Sequence, residues 1–194
     1  MHNVNQLNRL RRAADPVPEL AGFDAESGLA VRELLMERVE QQWEKCARTK
    51  QPLGALLLAL DGVDRDNLDK QHTEVLCADV REAGQVVSRW CRRRADFAGR
   101  MRKQEIGVML AESKLEGMRG VAEQIIRNIH ALQLPHPIDS QATLTVSVGG
   151  AVVIPDKNHM ASSLWVFADR ALADARAMHG NCAVFYGDDV PVPH

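Results

Sequence analysis

The chain has 194 residues, 45% of them hydrophobic, with 24 basic against 26 acidic side chains and a formal net charge of −2. That length suits one domain with a sizeable core and excludes a repeat array or two full domains. The near-even charge excludes bulk attraction to nucleic acid or anionic lipid, and no apolar run reaches membrane length, so neither nucleic acid nor membrane is an expected partner.

Residues 1–22 are polar and basic, then broken by Pro16 and Pro18; they read as an N-terminal arm or linker, with Leu7 and Leu10 too little pattern to assign it a role. A globular unit is expected over 23–187 and a short tail over 188–194. From Ser27, apolar residues recur at Leu29, Leu34, Leu35, Val39 and Trp43, which predicts a helix ended by Pro52. "GALLLALDGV" follows as a buried strand, and a second helix is predicted from about Asp66 to Arg92. Residues 95–111 have the outline of a β-hairpin. Its tip, Arg102-Lys103-Gln104, lacks the Gly, Asn or Asp that short hairpin turns favour. "GMRGVAEQIIRNIHAL" predicts a third helix, "ATLTVSVGGAVV" a strand, "ASSLWVFADRALADARAMHG" a fourth helix and "CAVFYG" a last strand. The order α-β-α-β-β-α-β-α-β implies an α+β fold, a mostly antiparallel central sheet flanked by helices. Cys46, Cys77, Cys91 and Cys182 are scattered, without zinc spacing, and no signal peptide is visible; the pattern fits reduced thiols in the cytoplasm.

Four collinear stretches resemble the GGDEF, or diguanylate cyclase, domain family of bacterial signalling. "DAESGLAVR" (24–32) resembles its D-x-L-T-G-L-x-N-R, and "LALDGVDRDNLDKQH" (58–72) its D-x-D-x-F-K-x-x-N-D-x-x-G-H. "TLTVSVGGAV" (143–152) resembles its T-V-S-x-G strand, and "ADRALADARAMHGN" (168–181) its A-D-x-A-L-Y-x-A-K-x-x-G-R-N. The resemblance implies a nucleotide cyclase palm-like sandwich from Phe23 to Gly187.

It also implies a site, and the site is degenerate. Where the family has G-G-D-E-F this chain has Arg102-Lys103-Gln104-Glu105-Ile106. The family's glycines let backbone approach a GTP phosphate, and long side chains in their place should fill that space. Magnesium needs hard anionic oxygen, which neutral Gln104 does not offer, and the other metal carboxylate aligns with Ala59 while Asp61 takes the second place of D-x-D. Without those carboxylates nothing activates the 3′-hydroxyl or neutralises the triphosphate. Asn67 stands at the guanine-binding Asn, a second guanine contact aligns with Leu76 or Cys77, and Arg176 replaces a phosphate-end Lys. The expectation is an inactive cyclase homologue with no catalytic residue, no bound metal or cofactor, and no requirement for magnesium.

One feature survives. "RRAD" places Arg93 and Asp96 five residues before the signature loop, where many family members carry an R-x-x-D site for cyclic di-GMP, with Arg119 or Arg127 as an assisting cation. A guanidinium can fork onto a phosphate or a guanine Hoogsteen edge, and a carboxylate can accept from guanine N–H groups. The opposing reading of the same residues is a solvated basic helix end. The resemblance therefore implies a cyclic di-GMP receptor or a module that docks to a protein partner, with a ligand-linked homodimer as a further arrangement; a third reading is a GTP-binding regulator using Asn67, Glu105 and Arg176. His72 and Ser147 are expected to be structural. Trp43, Trp90 and Trp165 are expected to anchor core or interface. The acidic run Asp61, Asp64, Asp66, Asp69 lacks the Gly and Glu of a calcium loop.

Overall fold

The computed structural model describes residues 22–25, 27–62, 70–102, 104–136, 139, 141–156 and 158–186, so the predicted positions at Asn67, Lys103, Asp64, Asp66 and Asp69, the side chain of His72, residues 1–21 of the arm and the tail lie outside the described residues. The elements in chain order are α1 (Arg32–Thr49), β1 (Leu53–Leu60), α2 (Lys70–Trp90), β2 (Phe97–Arg102), β3 (Glu105–Ala111), α3 (Leu115–Ala131), β4 (Val146–Val153), α4 (Ala161–Ala177) and β5 (Ala183–Tyr186). They form one five-stranded sheet in the order β2-β3-β1-β4-β5. All pairings are antiparallel except β4 with β5, which is parallel.

Strand β1 sits at the centre because all eight of its residues can be buried. Its side chains alternate between two layers, as the period of two requires. Leu56, Leu58 and Leu60 pack with Leu76, Val80 and Val87 of α2 and Ile125 and Ile129 of α3. Leu53, Ala55, Leu57 and Ala59 pack on the other side with Leu35, Val39 and Trp43 of α1 and Leu164, Trp165 and Leu172 of α4. Each fully buried leucine contributes about 2 kcal/mol.

The apolar period that starts at Leu29 overreaches at the front of α1. Leu29 and Ala30 are buried, but outside a helix: Ala30 bridges Phe23 on one side and Gly99 of β2 on the other. Arg100 N–H donates to Ala30 O at 2.8 Å, so the segment works as a short extended flap on the edge of β2. Asp24 fixes it, accepting from the Ser27 amide at 2.8 Å and hydroxyl at 2.6 Å. The last helix is also shorter than its motif, because His179 and Gly180 both take positive φ and turn the chain into β5.

Candidate functional site

One end of the sheet gathers the residues that resemble the catalytic pattern. Ala59 of β1 lies opposite Glu105 of β3 and Ser147 of β4, which puts all three on one level and one face. Ala59 is 1% exposed and contributes a methyl group where the resemblance has a metal carboxylate. Glu105 is buried as well, and Arg102 meets it from the hairpin tip with Nη1 at 3.0 and 3.3 Å from its two oxygens. The same guanidinium nitrogen reaches Asp169 of α4 at 3.1 Å, and Arg176 approaches Glu105 at 3.8 Å. A buried carboxylate so close to two cations has its charge answered inside the chain. The residues present do not fit a magnesium ion: Ala59 has no oxygen to give, Gln104 is neutral, and the Glu105 carboxylate is occupied by arginine. Among the described residues no group of three His, Cys, Asp or Glu is placed to hold a metal.

Arg102 pairs with Glu105 after a register shift at Met101, and neither Arg102 nor Gln104 is among the residues with positive φ. Beside the tip, between α1 and α4, lies a cleft of about 290 Å³ bordered by Arg32, Met36, Arg102, Glu105, Trp165 and Asp169. Gln104 faces the opposite layer, against Leu58, Leu60 and Ile106.

Asp61 is a structural hub. Its carboxylate accepts from Ser147 Oγ at 2.6 Å, Thr145 Oγ1 at 2.7 Å and the Asn181 amide at 2.9 Å, tying β1 to β4 and to the turn before β5. Gly180 is required beside it: φ is +74°, and a Cβ there would sit 2.9 Å from the carboxylate. Ser147 is thus a donor to Asp61, in keeping with the structural role expected of it.

Arg93 and Asp96 occupy the turn between α2 and β2. Asp96 accepts from the Arg93 amide at 3.0 Å, and the Asp96 amide donates back to Arg93 O at 3.0 Å. The Arg93 guanidinium donates to Ala111 O at 3.1 Å and Glu112 O at 3.5 Å, capping the end of β3 while remaining exposed. Asp96 Oδ1 is buried without a hydrogen-bond partner among the described residues. Burial, reinforced by the Asp96 charge, pushes the Cys91 thiol up to about 12. Arg119 and Arg127 lie elsewhere on α3: Arg119 stacks over the Phe185 ring of β5 at 5.0 Å, and Arg127 pairs with Glu123 at 3.5 Å.

Two participants were not singled out from sequence. Asp169 anchors Arg102 and sits inside the "ADRALADA" motif, which was its only signal. Asp24 pairs with the buried Arg100 at 2.9 Å, joining the opening motif to the hairpin. Burial alone would raise the Asp24 carboxyl; its bonds to Ser27 and the Arg100 charge outweigh that and hold it below the usual range.

Comparison with known proteins completes the picture. The family model described as diguanylate cyclase, GGDEF domain, matches residues 21–182. The GGDEF domain of DgcB from Caulobacter crescentus, solved in complex with c-di-GMP, superposes with a TM-score of 0.72 at 17% identity over 87% of this chain and 97% of that one. The active GGEEF domain of a diguanylate cyclase from Vibrio cholerae gives 0.67 at 18% identity, over 83% and 99%. Diguanylate cyclase SiaD, in complex with its activator SiaC from Pseudomonas aeruginosa, gives 0.70 at 21% identity, over 93% of this chain and 66% of that chain. A sequence comparison with curated proteins gives no match. No helix among the described residues is long and apolar enough to cross a membrane.

Proposed function

The chain belongs to the GGDEF domain family, and from that premise we propose that it is a catalytically silent member that receives cyclic di-GMP at the α2–β2 turn through Arg93 and Asp96. The observation that carries the silence is Arg102, which lies across Glu105 and Asp169 where the family's pattern has glycine. A GTP phosphate would have to displace a doubly paired guanidinium and would find no second carboxylate for a metal at Ala59. The same pairing counts against the GTP-binding reading, since it engages Glu105.

The receptor reading rests on the turn. Arg93 is exposed, and Asp96 is within one turn of it. Binding would exchange the two carbonyl contacts of Arg93 for bonds to phosphate, in which donor and acceptor are both charged and a bidentate fork is available. The relative DgcB, crystallised with c-di-GMP, is in keeping with this. A second reading, a cytoplasmic module that docks to a protein partner without nucleotide, is favoured by the internal engagement of the same two side chains; SiaD, held by its activator, is the corresponding relative.

Isothermal titration of the full chain with cyclic di-GMP, then with GTP and magnesium, tests both. Micromolar or tighter binding of cyclic di-GMP that disappears in Arg93→Ala is expected. Heat retained by that variant would move the ligand elsewhere, and no heat in the unsubstituted chain would leave the docking module. Cyclic di-GMP formed from GTP would sink the silent reading.

A further inference from the structure

The cleft between α1 and α4 has apolar walls that the fold leaves open. Met36 of α1 forms one side, Trp165 and Val166 of α4 the other, and Leu57 of β1 and Met101 of β2 close it toward the sheet. Met101 and Trp165 both lie over Gly107 of β3: a Cβ there would sit 2.6 Å from Met101 Cγ and 2.9 Å from Trp165 Cη2. Two thioethers beside an indole make a soft surface that moulds to a flat ring. The volume, about 290 Å³, is at the small end for ligand pockets and limits an occupant to one or two rings.

The polar rim is not neutral. Glu105 and Asp169 carry two negative charges, and Arg102 and Arg176 answer them. Arg32 borders the cleft too; it is exposed, and among the described residues it joins no ion pair. One positive charge is left over. Arg32 opens α1 and Ser162 lies in the first turn of α4, neither helix start has a side-chain cap, and the positive ends of both helix dipoles therefore add to that charge. Ala59 and Arg176, which stand at the family's metal and phosphate positions, do not border the cleft. A single spare charge over an apolar floor selects a monoanion with a flat body rather than a polyphosphate.

We propose that this cleft binds a small aromatic carboxylic acid, its carboxylate forked by the Arg32 guanidinium and its ring laid against Met36, Met101 and Trp165. The ring supplies the burial, and the guanidinium selects the acid over its neutral relatives. Arg93 and Asp96 take no part, so the site stands whether or not cyclic di-GMP binds at the α2–β2 turn.

Nuclear magnetic resonance of the full, nitrogen-labelled chain tests it, with 3-phenylpropionate as the acid and uncharged 3-phenylpropionamide as its control. For so small a ligand a dissociation constant of about 1 mM is expected, and the indole N–H signal of Trp165, identified by its loss in Trp165→Phe, should move on titration. Arg32→Gln should weaken binding of the acid about tenfold and leave the amide unchanged. Val166→Glu, at a position 65% exposed, should put a like charge at the mouth and weaken the acid more than the amide. Circular dichroism confirms that the variants fold. The proposal is overturned by an absence of shifts at about 5 mM acid, by shifts that leave Trp165 unmoved, or by equal binding of acid and amide that Arg32→Gln does not alter.

Discussion

Asp79 is buried in α2, 4% exposed, and its Oδ2 has no hydrogen-bond partner among the described residues. Burial, with the nearby Glu82 charge adding to it, pushes its carboxyl up to about 7 from an ordinary value of 3.8. The folded chain therefore keeps a proton that the unfolded chain loses. Below about pH 4 both states are protonated and the group has no effect; between there and about pH 7 its presence increasingly disfavours folding, to a limit of ~4 kcal/mol at 1.36 kcal/mol per unit. Asp79→Leu should raise the melting temperature at pH 8 and show a smaller advantage at pH 4.5; thermal melts with an equal gap at both pH values would refute this. Asp61 is the opposite case, a carboxylate that receives three donors. Asp61→Ala would strand Ser147 and Thr145 and release the turn at Asn181, at a cost of about 3 kcal/mol in urea unfolding. Conserving the acceptor geometry with Asn should recover part of it.

Between elements, glycine placement decides how close a helix can come to the sheet. A Cβ on Gly149 of β4 would run into Ala168 O and the Leu172 backbone of α4, atoms that cannot swing aside. Gly149→Ala should therefore lift α4 from β4 and cost about 3 kcal/mol, whereas Gly120→Ala on the open face of α3 meets nothing within 4 Å and should stabilise by ~0.5–1 kcal/mol. Denaturant midpoints of the two variants should move in opposite directions. The succession of elements and a central sheet flanked by helices were legible in sequence because β1 reads as a continuous apolar run and the helices keep a 3.6 period. What periodicity missed are places where a single side chain overrides it. Leu29 continues the apolar pattern of α1, yet Asp24 and Ser27 hold that segment extended on β2. The strand expected from residue 142 begins at Val146, because the backbone before it pairs elsewhere: Thr143 bridges Pro135, and Leu144 N–H donates to Leu134 O at 2.8 Å. In the site, the missing carboxylate at Ala59 could be read directly, whereas the Arg102–Glu105–Asp169 pairing could not, since Asp169 is distant in sequence and its role depends on where α4 crosses the hairpin.

At the scale of the whole molecule, a ligand that binds only the folded chain must raise its stability, and the size of the rise follows from mass action. At a hundredfold excess over the dissociation constant the gain is ~2.7 kcal/mol. For a chain of 194 residues each kcal/mol moves the melting temperature by about 2–4 °C, so saturating cyclic di-GMP should raise it by about 5–10 °C. Arg93→Ala should melt slightly earlier than the unsubstituted chain without ligand, because Ala111 and Glu112 lose a donor at the end of β3, and should show no shift with it. On the silent reading, GTP with magnesium should shift neither protein, since Arg102 is paired with Glu105 and Asp169. Melting curves of the two proteins, each alone and with each nucleotide, separate the cases. A shift with cyclic di-GMP that survives Arg93→Ala would place the ligand away from the turn. A shift with GTP and magnesium would mean that the Arg102 latch opens, and that this end of the sheet still admits a nucleotide.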